Sequence, residues 1–274
     1  MSDDRCKIRL RFRKDGDLRF VSHHDLMRLM ERLLRRAAMP LRTSEGFHPK
    51  PRIVFAHALA LGIEGWDEVV EIELQQHLSP SEVLARLNAA APTPLVFHDA
   101  RTVPVRLTGQ PERLEYLGRW VDGLPPADLG DRLHRLLAEP TWIVTRVKGS
   151  PPPPAPSDEG GEERLDQFAG LLQARPTGPV QPGKLIDVRP FVSQLALSTE
   201  GLRFIIRSTP TGSARVDEVL RLLGLWDQFL DGALRLIRTA VVLVDELFGL
   251  SAAADAKPCG LSAPAAPPHC KEPT

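Results

Sequence analysis

Cysteine is scarce in this 274-residue chain: Cys6, Cys259 and Cys270 are its only three, widely separated and odd in number. That excludes a disulfide framework and fits a reducing compartment, so a cytoplasmic location is expected. No Cys-x-x-Cys pair offers a zinc site, and no Cys-x-x-x-Cys-x-x-Cys cluster offers an iron–sulfur centre. His269 beside Cys270 lies in a tail rich in Ala and Pro, without a scaffold for a metal. No apolar run approaches the ~20 residues that a bilayer span needs. The opening Met1 to Arg5 is polar and does not read as a signal peptide. The P-loop, the Gly-x-Gly-x-x-Gly fingerprint and the nucleophile elbow are all missing. Neither a cofactor nor a metal is therefore expected, and the residues lean toward a binding module rather than an enzyme.

What is present is an uneven charge. The chain carries 35 Lys and Arg against 35 Asp and Glu, a formal balance of zero. Between Arg5 and Arg52, however, 14 cations face five acids. Such asymmetry points to an anionic partner for the N-terminal part, nucleic acid being the commonest; a basic surface that is merely solvated is the plainer alternative.

The order of elements is readable from periodicity. Lys7 to Arg13 alternates charges with Ile8, Leu10 and Phe12, which predicts a half-buried strand with its charges outward. Asp15-Gly16 makes a turn, and Leu18 to Val21 reads as a short returning strand. Ser22 with Asp25 three residues on opens a helix that Pro40 ends. On it Leu26, Met27, Met30, Leu33, Leu34, Ala37 and Ala38 form an apolar face, opposite Arg28, Arg32, Arg35 and Arg36. Strands are expected at 41–47, 53–61, 69–74 and 95–103, with a helix from Ser79-Pro80 to Ala90 before the last. A similar order follows: strand 113–121, helix 126–137, strand 142–147, strands 185–197 and 202–208 as a hairpin, helix 214–223 and strand 234–244. The expected fold is α+β, as two tandem ferredoxin-like (split βαβ) units over 5–105 and 110–246. The Pro-, Gly- and acid-rich run 149–183 is expected to be a disordered insertion in the second unit, and 249–274 a disordered tail.

Two stretches carry candidate chemistry. Arg28, Arg32 and Arg35, at i, i+4 and i+7, make a stripe that would bind phosphate in a salt-dependent way. Gly46-Phe47-His48-Pro49-Lys50-Pro51-Arg52 presents cations and an aromatic ring on a backbone stiffened by two prolines. Lys50 and Arg52 could grip phosphate there and Phe47 could stack on a base, or the segment could be a structural corner. His23 and His24 at the helix start, with His48, are candidates for proton transfer, although capping histidines are commonly only surface residues. Arg203, Arg207, Arg235 and Arg238 would extend a basic groove. His57, His77, His98 and His134 show no ligand spacing and read as structural.

Leu18 to Met27 (LRFVSHHDLM), Arg35-Arg36-Ala37 and Gly46 to Ile53 (GFHPKPRI) together resemble the radical SAM-linked (radical SAM-associated) conserved domain family. Its members open the first helix with Arg-Phe-x-Ser-His-x-Asp and carry a Ser-x-Gly-Phe-x-Pro-x-Pro-Arg segment. Here Ser44, Gly46, Phe47, Pro49, Pro51 and Arg52 match the second pattern, while His48 stands where Asn is more usual. Ile186 to Pro190 and Ile237 to Ala240 are similar too, so the resemblance spans about 5–245 and is sharp over 18–65. It implies a stand-alone form of a domain otherwise fused behind a radical SAM enzyme, working with a separate radical SAM enzyme, in tRNA or rRNA modification or maturation. Two further expectations stay open beside an RNA-binding accessory module: a metal-independent RNA endonuclease using its histidines, and a purely protein-binding subunit.

Overall fold

The computed structural model describes residues 5–45, 49–146 and 183–247, and the expected insertion and tail lie outside this range almost entirely. Among these residues the fold is α+β, with a nine-stranded mixed sheet and few helices. The first half runs β1 (Cys6–Lys14), α1 (His23–Arg36), β2 (Ile53–Phe55), β3 (Glu64–Leu74), α2 (Pro80–Ala90) and β4 (Leu95–Val103). The second runs β5 (Pro111–Trp120), α3 (Leu129–Ala138), β6 (Ile143–Arg146), β7 (Lys184–Asp187), β8 (Val192–Ser198), β9 (Gly201–Thr209) and β10 (Gly212–Ser213). Then come α4 (Val216–Leu222), α5 (Trp226–Leu230), β11 (Leu234–Leu243) and the helical turn α6 (Val244–Leu247).

In the first half the strands lie in the order β4-β1-β3-β2, and in the second β11-β5-β9-β8, each neighbour antiparallel. The halves are joined by one parallel contact, where Ile237 and Arg238 of β11 meet Glu64 and Gly65 of β3. β6 and β7 form a separate ribbon. Each half has its own apolar core. One gathers Ile8, Leu10, Phe12, Val70 and Ile72 under α1 and α2, and the other gathers Tyr116, Leu129, Phe204, Val219 and Leu236.

Local chemistry explains the helix starts. The Ser22 and Ser79 hydroxyls accept from the amides of Asp25 and Glu82, satisfying donors that a first turn leaves open. α2 begins on Pro80, whose missing N–H costs nothing there. Elsewhere the sequence pattern misled. Residues 16–20 form a 3-10 turn, not a strand, because Gly16 takes a positive φ that bends the chain at once. Of the expected strand 41–47, the described residues 41–45 show only bridges at Leu41 and Thr43, and 53–61 keeps only three residues of strand. The strand expected over 185–197 is broken into β7 and β8 by a turn at Arg189-Pro190-Phe191. α5 was not expected at all.

The largest departure concerns β1. Three of the expected outward charges do not face water: Lys7, Arg9 and Arg11 are buried together with the apolar residues of the other face, and only Arg13 stays exposed. Arg9, with 0% of its surface exposed, lies 2.8 Å from Glu71 and 2.7 Å from Asp245 of α6. Lys7 lies 2.7 Å from Glu71, and Arg11 pairs with Asp67 and with Glu246 at 2.6 Å. Alternation alone cannot separate a solvated charged face from one covered by the chain's own acids. Those acids arrive from β3 and from the far end of the sequence.

Candidate functional site

α1 buries Leu26, Met30, Leu33 and Leu34 and turns the opposite side outward. Arg28, Arg32, Arg35 and Arg36 are all exposed. At 3.6 residues per turn they fall within an arc of roughly 100°. Arg28 lies 3.4 Å from Asp25, and Arg36 donates to the Ala90 carbonyl. Arg32 and Arg35 have no side-chain partner among the described residues. The stripe therefore exists as a surface, with Asp25 and Glu31 on the same helix offsetting part of its charge.

The segment that follows is a narrow ribbon laid against β3. The Ser44 amide donates to the Lys50 carbonyl at 2.8 Å, and the Arg52 amide to the Arg42 carbonyl at 2.9 Å. Arg42 and Glu73 continue the pairing into the sheet. Pro49 and Pro51 fit because the N–H groups they lack are not needed on this edge. Lys50 and Arg52 are exposed at the ribbon's surface, and Arg52 shares Glu73 with Arg42, at 3.9 and 3.1 Å. Two cations on one carboxylate leave a net positive charge. Gly46, Phe47 and His48 lie outside the described residues.

His23 and His24 sit in different surroundings at the start of α1. His24 is exposed, while His23 is half-buried with its ring edge-on to Phe55 at 5.3 Å. Burial, then the neighbouring His24, Lys14 and Arg238, push the His23 imidazole below its ordinary value. It is held neutral, as the helix N-terminus also favours.

A polar cluster that the sequence reading missed sits where the halves meet. Arg238, 1% exposed, pairs with Glu68 through Nε at 2.7 Å. It also donates to the carbonyls of Ala58 and His57, at 3.0 and 3.2 Å. His57 Nδ1 lies 3.0 Å from Arg238 and 2.8 Å from the Ala58 carbonyl. Burial and then Arg238 push His57 down, so its ring is neutral. Lys14 is buried beside Glu68, donates to the Val21 carbonyl at 3.3 Å, and is lowered to about 8, chiefly by burial. These residues come from β1, β3, β11 and the loop after β2. No local spacing connects them.

Arg238 is thus removed from the expected basic groove. Arg203 and Arg207 remain exposed but pair with Glu200 and with Glu112, the latter at 3.5 Å. Of the other histidines, His98 lies 2.9 Å from Asp67. Among the described residues no three His, Cys, Asp or Glu side chains are grouped to hold a metal ion. None of the helices there is long and apolar enough to cross a membrane.

Residues 7–151, more than half of the chain, match a bacterial family described as "Uncharacterized protein conserved in bacteria (DUF2344)". No curated protein matches the sequence.

Proposed function

The chain belongs to this bacterial family, and from the surface that its α1 presents we propose that it is an RNA-binding accessory module. One observation carries the proposal. The cations of β1 are neutralised by acids of the same chain, whereas the four arginines of α1 are exposed along one arc. From Arg28 to Arg35 they run along about 10 Å of helix axis. Planar guanidinium groups in such a row suit the successive phosphates of a single strand. Lys50 and Arg52, on the ribbon that follows α1, would add contacts, with Phe47 available to stack.

The equal strand orders of the two halves support a finer reading of the fold, as two ferredoxin-like units that share a sheet. The resemblance to the radical SAM-linked domains supports a separate radical SAM enzyme as partner, in the cytoplasm, with tRNA or rRNA modification or maturation as the setting.

Electrophoretic mobility shifts against bulk tRNA and rRNA fragments, over a salt series, test the proposal. Three or four phosphate contacts predict a log–log salt slope of about −2 to −3. Arg32→Glu with Arg35→Glu should weaken binding by tenfold or more, an expectation of about 1.4 kcal/mol at least. Binding that is salt-independent, or equally tight in that variant, would refute the RNA reading. Recovery of a radical SAM enzyme without RNA would favour a protein-binding subunit instead.

A further inference from the structure

A cavity of about 560 Å³ opens between the halves, beside the buried Arg238 cluster. One side is the loop after β2, including His57 and Ala60, and the other belongs to the second half. Its chemistry is mixed. Tyr116, Trp226 and Phe229 supply rings, and Arg146, Arg215 and Asp217 supply charge.

The rings are held in place. Tyr116 stacks on Phe204 with centroids 5.0 Å apart and planes 13° from parallel. Trp226 and Phe229, one turn apart on α5, lie 5.5 Å from each other, and the Arg221 guanidinium covers Trp226 at 4.4 Å. The polar groups are arranged with equal economy. Arg146 uses Nε and one terminal nitrogen on Glu218, at 2.6 and 2.8 Å, and the latter also reaches the Ser213 carbonyl. Its other terminal nitrogen has no hydrogen bond among the described residues. Asp217 lies 4.0 Å from Arg221, and burial pushes its carboxyl up. Arg146 is set against Glu218, and Arg215 and Arg221 share the field of Asp217, so three cations meet two acids and Arg215 stays exposed beside the cavity.

We propose that this cavity binds one nucleotide, its base between the Tyr116 and Trp226–Phe229 walls and its phosphate toward Arg215 and Arg146. The size is suitable, since small-molecule sites are commonly about 300 to 1,000 Å³ and apolar with a few placed polar groups. A flat ring gains stacking from aromatic walls, and a nucleobase also supplies the donors and acceptors that an apolar ring lacks. His57 and Asp217 are the side chains placed to meet them. A phosphate monoester adds negative charge where Arg146, Arg215 and Arg221 outnumber Asp217 and Glu218. The proposal stands apart from the α1 surface, which plays no part in it.

Calorimetric titration of the whole chain with AMP, GMP, CMP, UMP and adenosine tests this, with circular dichroism melting to check that each variant folds. At least one 5′-monophosphate should bind, and Arg215→Glu should weaken it about tenfold while changing adenosine little. Ala60→Trp, at an exposed loop position that lines the cavity, should abolish binding by filling it, and Phe229→Ala should weaken it. Arg32→Glu with Arg35→Glu should leave mononucleotide binding unchanged, so failure of the RNA reading does not decide this one. A short oligonucleotide that displaces the mononucleotide, and loses affinity in Ala60→Trp, identifies the ligand as a nucleotide within RNA. RNA affinity untouched by Ala60→Trp identifies it as a free nucleotide. No binding of any of the five compounds, or binding unaltered by Ala60→Trp, would overturn the proposal.

Discussion

Arg238→Met removes the cation at the junction of the two halves and leaves Glu68 buried without it. Arg238 is 1% exposed and Glu68 3%, so water cannot replace the lost partner. Breaking a buried ion pair from one side typically costs about 3–5 kcal/mol. Two features set where in that range the loss falls. The Ala58 and His57 carbonyls also lose their donor, which adds to the cost. Lys14 stays close to Glu68 and can hold part of its charge, which reduces it. A loss of about 3 kcal/mol at neutral pH is expected, a large part of the roughly 5–15 kcal/mol that holds a domain folded. The second variant is Arg238→Met with Glu68→Leu, where neither charge remains. It should recover most of the loss, because an apolar pair of similar volume is often as stable as the ion pair.

Urea unfolding followed by circular dichroism at neutral pH measures both the loss and its recovery. A single-variant loss below about 1 kcal/mol would refute the reasoning, since that is the scale of a surface pair. So would a double variant less stable than the single one.

Two other outcomes follow from the same physics. Lys14 is lowered to about 8, so between that value and its unfolded value the unfolded chain binds more protons. Wild-type stability should therefore rise from pH 8 toward 10.5, by up to about 3 kcal/mol at about 1.4 per unit, and Lys14→Met should remove that rise in urea titrations. Ser22→Ala deletes the hydroxyl that caps α1 and should cost about 1 kcal/mol by thermal or urea unfolding, with Ser22→Asp nearly neutral.

What could be read in advance was whatever depends on neighbours in sequence. The Ser22 cap, the apolar face of α1, the Pro80 start of α2, the strand at Leu95–Val103 and the hairpin across Glu200-Gly201 rest on spacing of a few residues. The exposed arginines of α1 belong to the same class, because a helix with one apolar face has only one side left for charge. What could not be read rests on partners far apart. Arg9 and Arg11 looked like a solvated face until Asp245 and Glu246 were brought against them from more than 230 positions away. Arg238 was grouped with Arg235, but three positions along a strand put the two on opposite faces, and Arg238 is buried on Glu68, 170 positions away. The joining of the halves into one sheet rests on two residue pairs, too few to leave a pattern.

The clamp of α6 on β1 also orders events in time. A ribosome delivers β1 some 235 positions before Asp245 and Glu246. At about 5–20 residues per second, that interval is on the order of 10 to 50 s. Throughout it, Arg9 and Arg11 have Glu71 and Asp67 at most, and lack the acids that complete their burial. The N-terminal half can form its apolar core early, but it closes its charged face only after nearly all of the described chain has been made. An unfinished chain would therefore carry an open cationic strand, and the finished one hides it.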